Sequence, residues 1–153
     1  MAPVTNNRSD LIHDHYDPAS VPPDPEQARG RMIMATGTAL ALATDLATST
    51  WHLADIPADV ILHEDTFFDV ENWPFAQIVI GTLSDTDALV DQTKVTENIV
   101  TPIAIGDANH GKRLWEVLGL AANPGGLISL YAHAEGNATG AGNMPFRVAY
   151  IAA

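Results

Sequence analysis

Short apolar runs separated by turn-forming residues divide most of this 153-residue sequence. The clearest run is Gln77 to Leu83, whose alternating positions are apolar on both faces, so it predicts a central strand covered on both sides. The other predicted strands are Arg31 to Gly37, Trp51 to Ile56, Val60 to Leu62, Thr66 to Val70, Ile99 to Ile105, Leu114 to Leu120, Leu127 to His133 and Pro145 to Ile151. Several short strands with regular turns predict an all-β fold, either an antiparallel sandwich or a barrel.

Three runs carry additional signals. Pro102 lies inside the run Ile99 to Ile105, and an internal proline predicts an edge strand or a bulge. Thr38 to Thr48 contains good helix formers interrupted by Thr and Asp, so a helix is an alternative there. Thr86 to Lys94 is long enough for one or two helical turns, with Asp85 as the N-cap.

The first thirty residues differ from the rest. Met1 to Gly30 holds five of the ten prolines, and its apolar residues are sparse and show no period. We therefore predict an extended N-terminal arm over residues 1–30, followed by a β-sandwich domain over residues 31–153. The arm is interpreted either as a disordered leader or as a segment that docks on a neighbouring subunit or partner. In the second case the apolar anchors are Leu11, Ile12, Tyr16 and Val21.

Charge and composition exclude several classes of function. Seven Lys and Arg residues stand against 19 Asp and Glu residues, which gives a formal charge of −12. Such a chain lacks the cations that nucleic acid and anionic membranes attract, so we predict that it binds neither. It contains no cysteine, which excludes disulfides, a thiol nucleophile and a thiolate zinc site. No apolar run reaches about 18 residues, so no membrane-spanning helix is predicted.

Two clusters resemble metal ligand sets. The string from His13 to Asp17 combines two imidazoles with two carboxylates, but it lies in the arm, without a rigid second layer of partners. The loop from Asp85 to Asp91 offers oxygen ligands for calcium, but it lacks the glycine and the distal glutamate of an EF-hand loop. We predict no metal and no cofactor.

The sequence shows no catalytic signature. His52, His63, His110 and His133 are scattered, and no Gly-x-Ser-x-Gly elbow supplies a nucleophile beside a base. We therefore predict a protein without catalytic residues. Trp73 lies in a turn-like setting, Glu71 to Pro74, and is predicted as a partner-contact residue.

Three stretches show a pattern known from a protein family. The first is Leu53 to Leu62, which has Ile-Pro-Ala before a β-branched strand. The second is Ile78 to Leu89, in which a strand ends in glycine before acidic and small residues. The third is Gly126 to Tyr131, followed by the loop Asn137 to Gly142 and the closing strand Val148 to Tyr150. Across Gly37 to Ile151 the chain resembles small tailed-phage virion proteins with a jelly-roll-like β-sandwich.

The resemblance implies a capsid decoration or cement protein without cofactors. Its implied partner is the major capsid protein, and it implies a homo-oligomer, with a trimer favoured. It also implies location on the capsid exterior after assembly and in the host cytoplasm before. The alternative is a carbohydrate- or receptor-binding virion module on the same fold, using exposed Trp or His side chains.

Overall fold

Nine strands form two antiparallel sheets in the computed structural model, which describes residues 2–4, 8–14, 16–94 and 97–152. The strands are β1 (Arg31–Ala41), β2 (Thr50–Pro57), β3 (Ile61–Leu62), β4 (Phe67–Asp69), β5 (Gln77–Gly81), β6 (Val90–Thr93), β7 (Ile99–Val100), β8 (Leu127–His133) and β9 (Gly142–Ala152). The first sheet has the order β1-β9-β4-β7, with β3 also paired to β9, and the second has the order β2-β8-β5-β6. The predicted all-β antiparallel sandwich is confirmed, whereas the jelly-roll connectivity stays a prediction.

Strand β9 organises the first sheet. It pairs with β1 without a break from Arg31↔Ala152 to Ala41↔Gly142. Its other edge is shared by β3 and β4, which pair with it one after the other along its length. The side chains of β9 that point inward are buried in the core, namely Met144, Phe146, Val148 and Tyr150. Strand β9 is therefore a central strand of the first sheet, because it is paired along both of its edges.

Strand β5 is central in the second sheet, as predicted. It lies between β6 and β8, and Ile78, Val79 and Ile80 are all buried, so both of its faces are covered. Burial of side chains of this size contributes about 1.5–3 kcal/mol each. The strand ends at Gly81, and Leu83, which was predicted to belong to it, is exposed.

The run Leu114 to Leu120, predicted as a strand, instead begins with a short helix, α2 (Leu114–Val117). Leu114 and Leu118 are four residues apart and both buried, which is the spacing of one helical face. Gly119, at φ 76°, follows the helix in the left-handed conformation that glycine adopts without steric cost.

The two helix alternatives are also wrong. Residues 38–41 continue β1, because pairing with β9 satisfies their backbone and buries Ala39 and Ala41. The run Thr86 to Lys94 contains turns and then β6, which pairs with β5. The edge-strand prediction is confirmed, because β7 lies at the end of the first sheet and stops before Pro102.

The described part of the N-terminal arm forms turns and a short helix, α1 (Pro25–Arg29), rather than a strand of either sheet. Asp24 caps α1 by accepting the Glu26 backbone N–H at 2.8 Å. The guanidinium of Arg113 pairs with the carboxylates of Asp24 and Glu26, the latter at 2.9 Å, and donates to the Asp59 carbonyl. The end of the arm is therefore tied to the domain of its own chain. Neither of the described helices is long and apolar enough to cross a membrane.

Candidate interaction surfaces

Trp73, the predicted contact residue of the domain, lies in the core with 3% of its surface exposed. Its ring packs against Trp51 at 4.9 Å and Phe75 at 5.3 Å between centroids. The turn that contains Trp73 is fixed by a hydrogen bond, because the Trp73 carbonyl accepts from Lys94 Nζ at 2.7 Å. Since the side chain is covered, the turn-like sequence around Trp73 does not place it on a contact surface.

The four predicted anchors of the arm are all exposed. Tyr16 is 98% exposed, and Leu11, Ile12 and Val21 also face solvent. Leu11 and Ile12 line a groove of about 600 Å³ whose other wall is formed by the prolines and α1 residues at the end of the arm. The arm therefore folds back on itself and presents apolar side chains outward.

The metal-like string in the arm is occupied by internal contacts. His13 Nδ1 lies 3.0 Å from Ser20 Oγ, and His15 lies outside the described residues. Asp14 accepts the Tyr16 backbone N–H at 3.0 Å and the Arg8 guanidinium at 2.8 Å. These hydrogen bonds, that of Tyr16 first, hold the pKa of Asp14 below its ordinary value. Both carboxylate oxygens of Asp14 therefore already have partners.

The acidic loop after β5 is a compact turn. Asp85 donates its backbone N–H to Thr82 Oγ1 at 3.1 Å, and a hydrogen bond with Asp87 raises the pKa of the Asp85 carboxyl. Asp91 lies on β6 and accepts from Gln77 Nε2 at 2.5 Å. Within the described ranges, no group of three or more His, Asp or Glu side chains is arranged to hold a metal ion.

A small imidazole and carboxylate cluster lies beside β3. His110 Nε2 is 3.0 Å from Glu64 Oε2, and His63 Nε2 is 3.6 Å from the same oxygen. The pKa of Glu64 is lowered, first by its own backbone N–H and then by His110. This cluster joins the loop before α2 to the end of β3.

A second polar group lies on the outer face of β2 and β8. Ser129 Oγ donates to Asp55 Oδ1 at 2.5 Å, and His52 Nε2 lies 2.7 Å from the same oxygen. The His52 ring stacks on Tyr131 at 4.7 Å between centroids. In a nucleophilic triad the imidazole lies between hydroxyl and carboxylate. Here the carboxylate lies between them, so Ser129 is not bonded to an imidazole base.

The sequence analysis missed the exposed apolar face of β1. Met32, Met34 and Leu40 are all exposed, although they lie in an eleven-residue strand. The sequence carries part of this signal, because from Met34 to Ala41 every second residue is small, namely Ala35, Gly37, Ala39 and Ala41. Ile33 departs from it, since it is large and also exposed.

A groove of about 540 Å³ separates β1 from β2, the edge strands of the two sheets. Trp51 crosses it by donating its indole N–H to the Leu40 carbonyl at 2.9 Å. Phe146 lies at the base of the groove, next to Gly37. A Cβ atom at position 37 would lie 2.9 Å from the Phe146 ring. The groove opens between Leu40, on the outer face of β1, and Trp51 of β2.

Comparison with known proteins gives one solved structure of similar fold. No family model matches the chain, and no curated protein matches it. The chain is similar to a chain described as "Cyanophage Pam1 capsid asymmetric unit", with a TM-score of 0.52, 12% identity, and coverage of 81% of this chain and 86% of that one. At this identity the likeness shows a shared fold.

Proposed function

We propose that this chain is a phage virion structural protein that binds the capsid surface and stabilises the shell as a decoration or cement protein. The observation that carries the proposal is the fold shared with a chain of a cyanophage capsid asymmetric unit over 81% of this chain. A non-catalytic role agrees with the Ser129, Asp55 and His52 group, whose order does not supply a nucleophile with a base.

The surface suits a protein that coats a larger assembly. The arm offers Leu11, Ile12, Tyr16 and Val21 as exposed apolar anchors, and we propose that they contact the major capsid protein. A net charge of −12 opposes non-specific association of free copies in the host cytoplasm before assembly. Many copies on one lattice gain avidity even when each interface is small.

The test uses capsids of the encoding phage assembled without this chain. Purified full-length chain is added, unbound chain is removed by sedimentation, and the particles are heated with a dye that reports DNA release. We expect saturable binding and a release temperature raised by several degrees. Particles that bind no chain, or bind it without a change in release temperature, would contradict the proposal.

A matched pair of variants tests the anchors. Tyr16→Asp combined with Val21→Asp introduces charge at two exposed arm positions and is expected to weaken capsid binding. Ile105→Asp changes a side chain that is equally open to solvent but lies in a loop of the domain, and it is expected to bind normally. If both variants bind capsids equally well, the arm is not part of the proposed contact.

The second candidate is a carbohydrate- or receptor-binding virion module, favoured by the stacked His52 and Tyr131 rings beside Asp55. Aromatic rings next to a carboxylate can bind the apolar and hydroxyl faces of a sugar. A glycan array probed with the chain and with Tyr131→Ala decides between the two. Specific glycan binding that Tyr131→Ala removes would favour this candidate, and an empty array would favour the capsid role.

A further inference from the structure

Strand β1 carries its large and small side chains on the opposite faces from an ordinary half-buried strand. From Ala35 to Ala41 its inward positions hold the small residues Ala35, Gly37, Ala39 and Ala41, whereas Ile33, earlier on the same face, is large and 37% exposed. Its outward positions include Met34, which is 47% exposed, and Leu40, which is 68% exposed. Large apolar side chains normally face the core, so an exposed row of them indicates a surface that another molecule covers.

The same strand has an open hydrogen-bonding edge. Among the described strands β9 is the one partner of β1, and it occupies one edge only. The opposite edge therefore presents backbone N–H and C=O groups along β1, except at Leu40, whose carbonyl accepts the Trp51 indole N–H at 2.9 Å. Such an edge is a template for a further strand.

The other sheet edges carry the features that normally prevent such pairing. Strand β2 has a register shift between His52 and Ala54 and carries Asp55. Strand β6 carries Asp91, and β7 has two residues and is followed by Pro102. From Met32 to Ala41, β1 has no charge, no proline and no bulge. Its unprotected edge is thus a specific property of β1 within the described sheets.

We propose that β1 pairs antiparallel with β1 of a second copy across a twofold axis, which joins the two first sheets into one continuous sheet. This inference does not rest on the proposed function. A twofold contact uses the same edge on both copies, so the pair consumes both β1 edges and leaves β7 at each end of the joined sheet. The occupant must offer a free, uncharged, extended edge, and the second copy supplies one.

Charge also favours a second copy at this edge. The chain carries −12, so most surfaces of two copies repel, whereas β1 and the residues after it contain no carboxylate before Asp45.

A register centred on Gly37 gives the best match of side chains. It sets Met34 opposite Leu40 of the partner subunit and Thr36 opposite Thr38 of the partner subunit on the outer face. In this register the incoming strand replaces the Trp51 indole at the Leu40 carbonyl. Directly opposed residues of an antiparallel pair have Cβ atoms about 4.5–5.5 Å apart, so the apolar side chains cover each other. The small residues Ala35 and Ala39 meet on the inner face.

The first experiment measures the mass of the full chain by sedimentation velocity across micromolar concentrations. We expect a dimer whose dissociation constant rises roughly tenfold or more in Met34→Lys and in Leu40→Lys, because charge enters the paired edge. Leu83→Lys is the matched control, since Leu83 is 61% exposed in a loop away from β1. Because these side chains are exposed, each variant is expected to melt like the parent under monomeric conditions.

The second experiment uses the absence of cysteine in the natural chain. Separately prepared Met34→Cys and Leu40→Cys proteins are mixed and oxidised, and the proposal expects a disulfide-linked heterodimer. Leu83→Cys mixed with Leu40→Cys is the control and should remain unlinked. A monomer at all concentrations, a trimer, or a dimer that Met34→Lys leaves intact would overturn the proposal.

Discussion

Ile80 lies at the centre of the second sheet with no exposed side-chain surface. Ile80→Asp places a carboxylate in the core without a partner, which costs several kcal/mol against a total stability of roughly 5–15 kcal/mol. We expect an unfolded or insoluble protein by circular dichroism. The control is Ile105→Asp at an exposed position, which should melt like the parent. Normal melting of Ile80→Asp would contradict the central position of β5.

Arg113 holds the end of the arm against the domain through Asp24 and Glu26. Arg113→Gln removes the charge that both carboxylates share, so α1 is expected to detach more often while the sheets stay folded. Trypsin should then cleave after Arg29 several-fold faster, with a change of about 1 kcal/mol or less in global stability. Arg8→Gln breaks the exposed pair with Asp14 and should leave that cleavage rate unchanged.

The same tether responds to acid. The Glu26 backbone N–H first, and then Arg113, hold the pKa of Asp24 below its ordinary value. A carboxyl whose folded pKa is lowered contributes stability above its unfolded pKa and loses it as the pH falls through the folded pKa. We therefore expect the amides of Ala28 and Gly30, which are bonded within this segment, to exchange faster in strong acid than intrinsic rates explain. Unchanged protection in acid would show that Asp24 does not hold α1.

At the scale of the elements, the turn after β5 depends on close packing against Gly81. A Cβ atom at Gly81 would lie 2.3 Å from the Asp85 carbonyl oxygen and 2.7 Å from the Ala88 backbone nitrogen. These are backbone atoms, so Gly81→Ala forces the turn to move and is expected to destabilise the protein by about 1–3 kcal/mol in a denaturant titration.

Gly136→Ala is the control for that substitution, because a Cβ atom at Gly136 meets nothing within 4 Å. Its midpoint should lie close to that of the parent. Equal midpoints for Gly81→Ala and the parent would mean that the turn from Thr82 to Leu89 packs more loosely than the structure places it.

A strand that is apolar on both faces could be predicted from the sequence, because this pattern fits a strand that is covered on both sides. Gln77 to Gly81 is of this kind, whereas Leu127 to His133 shows the alternation of a half-buried strand. The run at Leu114 was ambiguous, because four apolar residues fit a strand or one turn of helix. Its helical form is decided by the bonds from Leu114 and Trp115 to the Val60 and Ala58 carbonyls.

The candidate surfaces were harder to predict, since exposure depends on which elements cover a residue. Trp73 has the sequence setting of a surface turn, but the loop after β8 packs on that turn, with Thr139 bonded to the Pro74 carbonyl at 3.0 Å. Met32 and Met34 were predicted to lie in a strand, Arg31 to Gly37, but the sequence did not show that this strand lies at a sheet edge with these side chains exposed. Sheet order joins residues far apart in sequence, and local patterns do not specify it.

At the scale of the whole molecule, the arm and the domain can be separated by a matched pair of truncations. Deleting residues 2–23 keeps α1 and its ion pairs with Arg113, whereas deleting residues 2–30 removes them and stops before β1. Because neither deletion removes a described strand, we expect both proteins to fold. The longer deletion should melt lower, since Arg113 loses both carboxylates and Gly30 no longer packs on Ile151.

Capsid binding by the two truncated proteins tests the docking role of the arm. Both lack Leu11, Ile12, Tyr16 and Val21, so both are expected to bind more weakly than the full chain. Full occupancy with an unchanged dissociation rate would show that these anchors are dispensable. Failure of the longer deletion to fold would show that α1 is part of the domain.

The position of β9 has a consequence for synthesis of the protein. A ribosome makes β1 first of the nine described strands and β9 last, yet the two form one ladder that joins Arg31 to Ala152. At roughly 5–20 residues per second, β1 waits several seconds outside the ribosome for its partner. Throughout that time Met32, Met34 and Leu40 have neither a sheet nor a core beside them. Neighbouring nascent chains on one messenger RNA therefore expose the same unprotected strand to each other before any of them has completed its first sheet.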